Sequence, residues 1–416
     1  MLNKAKFKVL SGAIIIGVSA ALSTPAFAAS ETLMNLLSIL RDKGSISQDE
    51  YNALANAAEH ESAQAQKASQ PAAQKAEQAA APAHGWWNDT KISGRMYYNF
   101  SYINNKSDGV RQSNSGTGFD IKRFYVSIDH NFTDMFSGDI TTDFTYDSNV
   151  GATQLYIKKA YLEAKINDAL DIRLGSTDLP WIPFVEGLYG HRYVENVLVD
   201  RTKFGTSAGW GLHLKGKLAN GMLNYAFSVI NGAGYKHPGV HTNAMDFEGR
   251  VSANWNHFVL GVGGYVGKLG KDVEGTPTYH TAKRLDVIGA WVTDRARLGV
   301  EYFHATDFKN VTTVASDTAD GYGVFASYQF DPKWSVFGRY DHANPTKDTN
   351  SSLKDDYYNV GVTYTPAKII DLSLVYKHDK IGGGYWGTSN GTIGGSTATT
   401  GSGTYDEVGL FSRFRW

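Results

Sequence analysis

The sequence predicts an all-β fold, a 16-stranded antiparallel transmembrane up-and-down β-barrel with a short N-terminal helical segment. Three observations lead to this prediction. From residue 86 onward, apolar and polar residues alternate over runs of about ten residues. Every second connection between these runs is very short, whereas the others are mostly long. The two faces of the runs also differ, since one is apolar and the other is rich in charge.

The alternation is clearest at the end of the chain. Val408, Leu410 and Phe414 share one face there, whereas Glu407 and Arg413 lie on the other. Successive side chains of a strand point to opposite faces, so this pattern predicts a strand between two different environments. We predict sixteen strands, at residues 91–104, 119–132, 136–147, 153–167, 169–177, 207–219, 222–232, 246–256, 258–268, 281–292, 296–306, 319–331, 333–343, 355–366, 369–380 and 404–416.

The connections alternate in length along the chain. The short ones are Thr133-Asp134, Asn167-Asp168, Asn220-Gly221, Asn256-His257, Thr293-Asp294, Asp331-Pro332 and Ala367-Lys368. The longer ones include residues 105–118, 178–206, 269–280 and 381–403. Short periplasmic turns and longer outer loops are typical of outer-membrane barrels. A sheet in lipid must close on itself, because lipid offers no partner to a bare backbone.

The charged face is predicted to line water. Its basic residues are Arg95, Arg123, Lys159, Arg173, Lys215, Arg250, Arg284, Arg297, Arg339, Arg413 and Arg415. Its acidic residues are Asp129, Asp139, Asp143, Glu163, Asp171, Glu248, Asp286, Glu301 and Asp371. So many charges cannot fill a dry core, and sixteen strands enclose a wide aqueous interior. The opposite face is apolar, with aromatic residues near the strand ends that suit the lipid headgroups.

The first 85 residues are predicted to lie outside the barrel. Three lysines, an apolar run at 9–22 and the small-x-small site Ala26-Phe27-Ala28 predict a cleaved signal peptide over residues 1–28. Residues 29–61 predict a helical hairpin or coiled-coil segment, with a capping box at Ser47 and Glu50. Residues 62–85 are rich in alanine and glutamine and predict a linker. The helices could trimerise, touch peptidoglycan or cover the periplasmic mouth, and the sequence leaves these alternatives open.

Composition excludes several classes of protein. The chain has no cysteine, which excludes a disulfide scaffold, a thiolate nucleophile and a thiolate metal site. The formal net charge is −1, which disfavours nucleic acid as a partner. The histidines have no ligand spacing, so we predict neither a metal nor a cofactor.

Several short motifs of residues 86–416 resemble those of bacterial outer-membrane porins, most closely the phosphate-selective porin O and P family. They are Ile172-Arg173-Leu174-Gly175, Val229-Ile230-Asn231-Gly232, Arg339-Tyr340-Asp341 and the terminal Phe411-Ser412-Arg413-Phe414-Arg415-Trp416. The resemblance implies a homotrimer in outer-membrane lipid and passive diffusion of anions such as phosphate through a pore lined by arginines and lysines. Acids are nearly as numerous as bases in the lumen of this chain, so we expect only a weak preference for anions.

The third long connection, residues 178–206, is expected to fold inward and narrow the pore. Opposed charges on this loop and on the facing wall would select ions by sign. The expected pore-lining or constriction residues are Arg95, Arg123, Lys159, Arg173, Lys215, His191, Arg192, Glu186, Arg201 and Lys203.

Two other functions compete with that of a channel. Gly205-Thr206-Ser207-Ala208-Gly209 matches the nucleophile elbow of hydrolases, but that motif needs a helix after the serine, and a strand is predicted there. We therefore expect no enzyme. A structural envelope anchor or adhesin built on a barrel is the stronger rival, and loss of conductance alongside retained envelope tethering would favour it.

Overall fold

The computed structural model describes residues 26–60, 85–147 and 152–416. The chain divides into two compact units, Met1–Gly85 and Trp86–Trp416. Most of the expected signal peptide and nearly all of the expected linker therefore lie outside the described residues.

The described part of the first unit is helical. Helix α1 spans Ala26–Asp42, and α2 covers residues 48–60. The capping box is confirmed, because the Ser47 amide donates to Glu50 Oε2 at 2.8 Å and the Glu50 amide donates to Ser47 Oγ at 3.3 Å. None of the described helices is long and apolar enough to cross a membrane.

The second unit contains sixteen long strands. In chain order they are β1 Thr90–Ser107, β2 Gly116–Asn131, β3 Phe136–Asp147, β4 Ala152–Asn167, β5 Leu170–Asp178, β6 Ala208–Leu218, β7 Leu223–Ile230, β8 Asp246–Trp255, β9 Phe258–Gly267, β10 Ala282–Val292, β11 Ala296–Thr306, β12 Thr318–Asp331, β13 Trp334–Asn344, β14 Lys354–Ala367, β15 Ile370–Gly382 and β16 Ser402–Arg415. Short strands at Val110–Arg111, Tyr385–Thr388 and Gly391–Gly394 belong to the long connections.

The strands form one closed antiparallel barrel. Each strand pairs with its neighbours in the chain, and β1 also pairs with β16, so that Arg95 lies opposite Arg415 and Tyr97 opposite Arg413. The predicted fold class is confirmed, with strand bounds within three residues of those predicted. Aromatic side chains stand on the outer face at the short-turn end, as predicted, including Trp255, Tyr328 and Trp416. Closure leaves the barrel sheet formed by these described strands without an unpaired edge.

Two β-bulges break the alternation on the inner face. The register between β1 and β2 shifts at Tyr97 and leaves Lys122 as an extra residue beside Arg123. The register between β3 and β4 shifts at Thr141 and leaves Lys158 as an extra residue beside Lys159. A bulge lets two consecutive side chains point to one side of a sheet. Each bulge here therefore places two adjacent cationic residues toward the interior.

The connection from β5 to β6, residues 179–207, folds into the barrel. We call it the inward loop. It carries helix α3, Ile182–Tyr189, which ends at Gly190 in the left-handed conformation, and the single turn α4, Leu198–Arg201. Its apolar residues pack against the inner face of the distant wall. The fully or nearly fully buried members of this core include Trp181, Ile182, Val185, Leu198, Val199, Phe204, Ile288, Phe303 and Phe325.

Part of the lumen is consequently dry, which corrects the expectation that the inner charges line water. Arg284, Asp286, Glu301 and Arg339 belong to the predicted inner face, but each is at most 4% exposed. The inward loop covers them, and they pair with one another and with the loop backbone. The many charges correctly identified the inner face of the strands. They did not reveal that the inward loop fills part of the lumen.

Replacing Trp181 with alanine should release the loop from the wall without opening the barrel. Trp181 is fully buried against Gly263, where a Cβ atom would lie 2.5 Å from the indole. Its truncation should cost about 3–5 kcal/mol. Limited proteolysis should then cut the chain within residues 179–207. The barrel should stay folded, so the unheated protein should keep the mobility of the folded form on electrophoresis.

The matched control is Trp255→Ala, because that side chain is 69% exposed on the outer face. The control should leave the loop protected. A Trp181→Ala protein with a fully protected loop would contradict the packing described here.

Candidate functional site

Arginines of the barrel wall hold the backbone of the inward loop. Their guanidinium groups donate to loop carbonyl oxygens that have no strand partner. The pairs are Arg250 to Pro180 at 2.9 Å, Arg297 to Gly187 at 2.8 Å, Arg413 to Gly190 at 3.3 Å, Arg339 to Asn196 at 2.6 Å and Arg284 to Phe204 at 2.6 Å. Buried backbone groups must find partners, and the wall supplies them here.

Carboxylates of the wall accept the amides of the same loop. Glu248 accepts from the Trp181 amide at 3.0 Å, and Glu301 accepts from the Leu198 amide at 3.2 Å. Donors and acceptors of the wall therefore match those of the loop from one end to the other. This match fixes both the position and the orientation of the loop.

Arg201 makes a fully buried contact between loop and wall. Its guanidinium donates to Asp341 on β13, Asp355 on β14 and Asp379 on β15, at 2.9, 3.1 and 3.2 Å, and all four side chains are fully buried. The expectation that Arg201 lines a pore is therefore corrected, because the side chain reaches no open space. Its charge anchors the loop to three neighbouring strands.

A second buried ion cluster lies beside the first. Lys377 Nζ lies 3.0 Å from Glu407 and 3.3 Å from Glu195 of the inward loop. Burial alone would raise the pKa of Glu195, but Lys377 and Lys122 lower it below its usual range. Glu195 is therefore ionised when the loop is docked.

One side of the lumen stays open. A cavity of about 530 Å³ lies between the inward loop and the wall formed by β16, β1, β2, β3 and β4. Of the described residues that line it, seven are basic and two are acidic. The basic residues are Arg95, Lys158, Lys159, Arg192, Arg297, Arg413 and Arg415, and the acidic residues are Asp178 and Glu186.

The acids of the cavity are already engaged. Lys159 lies 2.5 Å from Asp178, and Arg192 lies 2.5 Å from Glu186. Lys158, which the bulge turns inward, donates to the Tyr125 hydroxyl at 3.2 Å and lies over the Tyr125 ring. Four of the expected pore-lining or constriction residues line this cavity: Arg95, Lys159, Glu186 and Arg192.

Sequence reasoning missed Lys158, because strict alternation places it on the lipid side. A pair of consecutive lysines within one strand is the signal that could have revealed the bulge, since one of them would otherwise face lipid. Lys122 was missed for the same reason. Arg413 and Arg415 were assigned to the inner face but were not selected as site residues.

The other expected residues lie elsewhere. Arg173 and Lys215 both pair with Glu163, at 3.1 and 3.3 Å, and do not line the cavity. Arg123 pairs with Asp143 at 3.7 Å and is not among the residues that line the cavity. Lys203 lines a different cavity, together with Lys309 and Trp386.

His191 is buried within the inward loop. Its ring stacks on Phe337 with centroids 4.1 Å apart, and Nδ1 lies 3.2 Å from the Tyr189 carbonyl oxygen. Burial, assisted by Arg413 and Arg297, lowers the pKa of His191 to about 4. The imidazole is therefore neutral in the docked loop, and it supports the loop rather than carrying charge into the cavity.

Replacing Arg201 with methionine should destabilise the docked loop by about 3–5 kcal/mol, because three buried carboxylates would lose their cation. Thermal unfolding and loop proteolysis measure the effect. Arg295→Met, at an exposed turn position, is the control and should change neither. Adding Asp355→Asn and Asp379→Asn to Arg201→Met should restore part of the loss; no restoration would argue against a charge-based anchor.

Acid should weaken loop docking through His191. The docked pKa of about 4 lies below the free value near 6.5, so protons favour the undocked loop. The docking contribution is complete above about pH 6.5 and is lost as pH falls toward about 4. Proteolysis of the loop across this range should show the loss, and His191→Phe, which keeps the stacking, should flatten the profile. An equally steep profile in the variant would assign the effect to other groups.

Comparisons with known proteins identify solved structures of the same fold. No protein-family model and no curated protein matches the chain. Among solved structures, an anion-selective porin from Comamonas acidovorans aligns with TM-score 0.58 at 13% identity, over 79% of this chain and 99% of that chain. The outer-membrane channel DcaP of Acinetobacter baumannii aligns with TM-score 0.52 at 14% identity, over 79% and 97%.

The trimer form of OmpT, an outer-membrane protein of Vibrio cholerae, aligns with TM-score 0.53 at 14% identity, over 79% of this chain and 99% of that chain. These identities are low, so the likeness concerns the fold alone. The chain has the closed sixteen-stranded β-barrel fold seen in bacterial outer-membrane porins.

Proposed function

We propose that the protein forms a water-filled channel in the outer membrane of a Gram-negative bacterium. It would pass small hydrophilic solutes and ions by passive diffusion, with a weak preference for anions, phosphate among them. The observation that carries this proposal is the basic cavity left open beside the inward loop, with seven basic and two acidic described residues along it.

The excess of positive charge argues for anions. Asp178 and Glu186 each pair with a basic residue, and Arg413 and Arg415 share Asp371. The charge of Arg95, Lys158 and Arg297 is left unbalanced. A narrow passage with low-dielectric walls strengthens the field of such charges. Anions would therefore be enriched in the passage and cations depleted. The named DcaP channel and the anion-selective porin share the fold, which is compatible with this reading.

The outer surface favours a homotrimer in lipid. The outward side chains of β1 to β4 include the exposed Ile92, Phe100, Phe119, Ile140 and Leu162. A broad apolar wall suits either hydrocarbon or another copy of itself, and one solved structure of this fold is a trimer. We assign residues 1–28 to a cleaved signal peptide, and contact with peptidoglycan is one role open to the helices.

The rival functions have less support. Ser207 of the elbow-like motif is followed by strand β6, whereas a nucleophile elbow needs a helix. An envelope anchor or adhesin would not need a basic passage beside a docked loop. A channel accounts for both the basic passage and the docked loop.

Conductance in a planar lipid bilayer tests the proposal. We expect stepwise insertions in groups of three, an anion-signed reversal potential in a chloride gradient, and a smaller chloride current when phosphate is added. Steps with cation preference would overturn the selectivity. A folded barrel that gives no steps would overturn the channel and favour the anchor.

Removing the two lysines of the β4 bulge should weaken selectivity. Lys158→Gln with Lys159→Gln removes two of the seven cationic side chains at the cavity, and we expect the anion-to-cation permeability ratio to fall by about threefold. The control is Lys333→Gln with Lys368→Gln, which removes the same charge from exposed short turns. Equal changes in both proteins would show that selectivity depends on overall charge and not on this cavity.

A further inference from the structure

A repeated polar pattern runs across the outer face of the last six strands. The sequence Tyr-x-His occurs on β11, β13 and β15, at Tyr302-Phe303-His304, Tyr340-Asp341-His342 and Tyr376-Lys377-His378. An aspartate of the next strand lies opposite each histidine. The pairs are His304 with Asp320, His342 with Asp356, and His378 with Asp406. We call these residues the outer belt.

Two units of the belt are hydrogen-bonded in the same way. Asp356 Oδ1 lies 2.8 Å from His342 Nδ1 and accepts from the Tyr340 hydroxyl at 2.8 Å. Asp406 Oδ1 lies 2.7 Å from His378 Nδ1 and accepts from the Tyr376 hydroxyl at 2.7 Å.

A tyrosine of the preceding strand completes each unit. The Tyr322 ring lies 5.5 Å from that of His342, and the Tyr358 ring lies 5.2 Å from that of His378. The imidazoles of His342 and His378 are therefore each fixed by a carboxylate at Nδ1 and by a ring at the side, whereas Asp320, opposite His304, accepts from Asn344 Nδ2 at 2.7 Å. A partner held at Nδ1 orients the other nitrogen, so Nε2 is left for a group outside the barrel.

The belt lies at the long-loop end of the barrel. His342 and His378 stand eight residues above Trp334 and Ile370, which mark the short-turn end of their strands. Eight residues span roughly 27 Å along a strand, and a tilt of about 40° reduces this to roughly 20 Å of height. The apolar band of such barrels is about 25 Å tall. The imidazoles therefore lie close to the upper edge of that band, and Lys380, two residues further along β15, lies roughly 5 Å higher, at the level of the headgroups.

The chemistry of the belt suits phosphate. Besides the three imidazoles and the aspartates opposite them, the outward face of these strands carries Lys380 near the end of β15 and Lys354 at the start of β14. Ammonium and imidazole donors make strong charge-assisted hydrogen bonds to phosphate. The repeat at every second strand spaces the units by roughly 10 Å, so neighbouring units can each contact a separate headgroup.

The adjoining wall of β1 and β2 differs at the same height. There, β1 and β2 present Phe100, Tyr102 and Phe119, all exposed. That apolar surface suits a second copy of the chain. β1 also carries the exposed Lys106 at this height, but among the described residues the preordered imidazoles lie on β13 and β15, which indicates a different neighbour for those strands.

We infer that the outer belt binds the phosphorylated headgroups of lipids in the outer leaflet. The inference rests on the proposed placement of the barrel in the outer membrane with its long loops outside. It adds a lipid-binding surface to the channel and assigns β11 to β16 to the side of the trimer that faces lipid.

The test compares binding of bisphosphorylated and dephosphorylated lipid A to the full-length protein in mild detergent, by native mass spectrometry. The wild type should bind the phosphorylated form more tightly by about tenfold, the value of one charge-assisted hydrogen bond. His304→Gln with His342→Gln and His378→Gln should abolish most of this difference. Lys380→Gln alone should reduce it in part.

The matched control is His130→Gln with His257→Gln. His130 faces outward near the short-turn end of β2, and His257 lies in a short turn. The control should bind lipid as the wild type does. The triple histidine variant and this control should both keep wild-type conductance. Failure of the lipid-binding prediction would therefore leave the channel proposal standing. A wild type without conductance would still allow lipid binding to be measured.

Three outcomes would overturn the inference: equal binding of both lipid forms by the wild type, undiminished preference in the triple histidine variant, or loss of oligomeric state in that variant with lipid binding intact. The last outcome would mean that the belt holds a second copy of the chain.

Discussion

The hydrogen bonding of one inserted loop organises this barrel. A segment of about thirty residues inside the lumen carries backbone groups that no strand can pair, and each unsatisfied group would cost about 1–3 kcal/mol. Five wall arginines and two wall glutamates supply the missing partners. The loop is therefore held at one side of the lumen, and the open cavity lies on the other side.

The division of the lumen explains the distribution of charge. Carboxylates that bind the loop are buried with their cations, as Asp341, Asp355 and Asp379 are with Arg201. The acids are thereby removed from the open side, where basic residues predominate. A lumen that is nearly balanced in composition thus presents an unbalanced surface to the open cavity. Selectivity would follow from where the charges lie and not from their number.

The outer surface is divided along a similar line. The wall of β1 to β4 that borders the open cavity is apolar on its outside. The wall that carries the inward loop has the Tyr, His and Asp units on its outside. Alternate residues of strands β11 to β16 therefore serve the two faces of the wall. Asp341 and Lys377 hold the loop inside the barrel. Their neighbours His342 and His378 face outward.

The sequence by itself determined the barrel, its sixteen strands and the parity of its turns, because a two-residue period is a local property that each strand records independently. It also assigned Arg95, Lys159, Glu186 and Arg192 to the lumen, where they line one cavity. Only the tertiary structure decided that Arg201 is an anchor, since its three partners lie 140 or more residues away. The inward positions of Lys122 and Lys158 likewise depend on a register shift between two strands, which no single strand encodes.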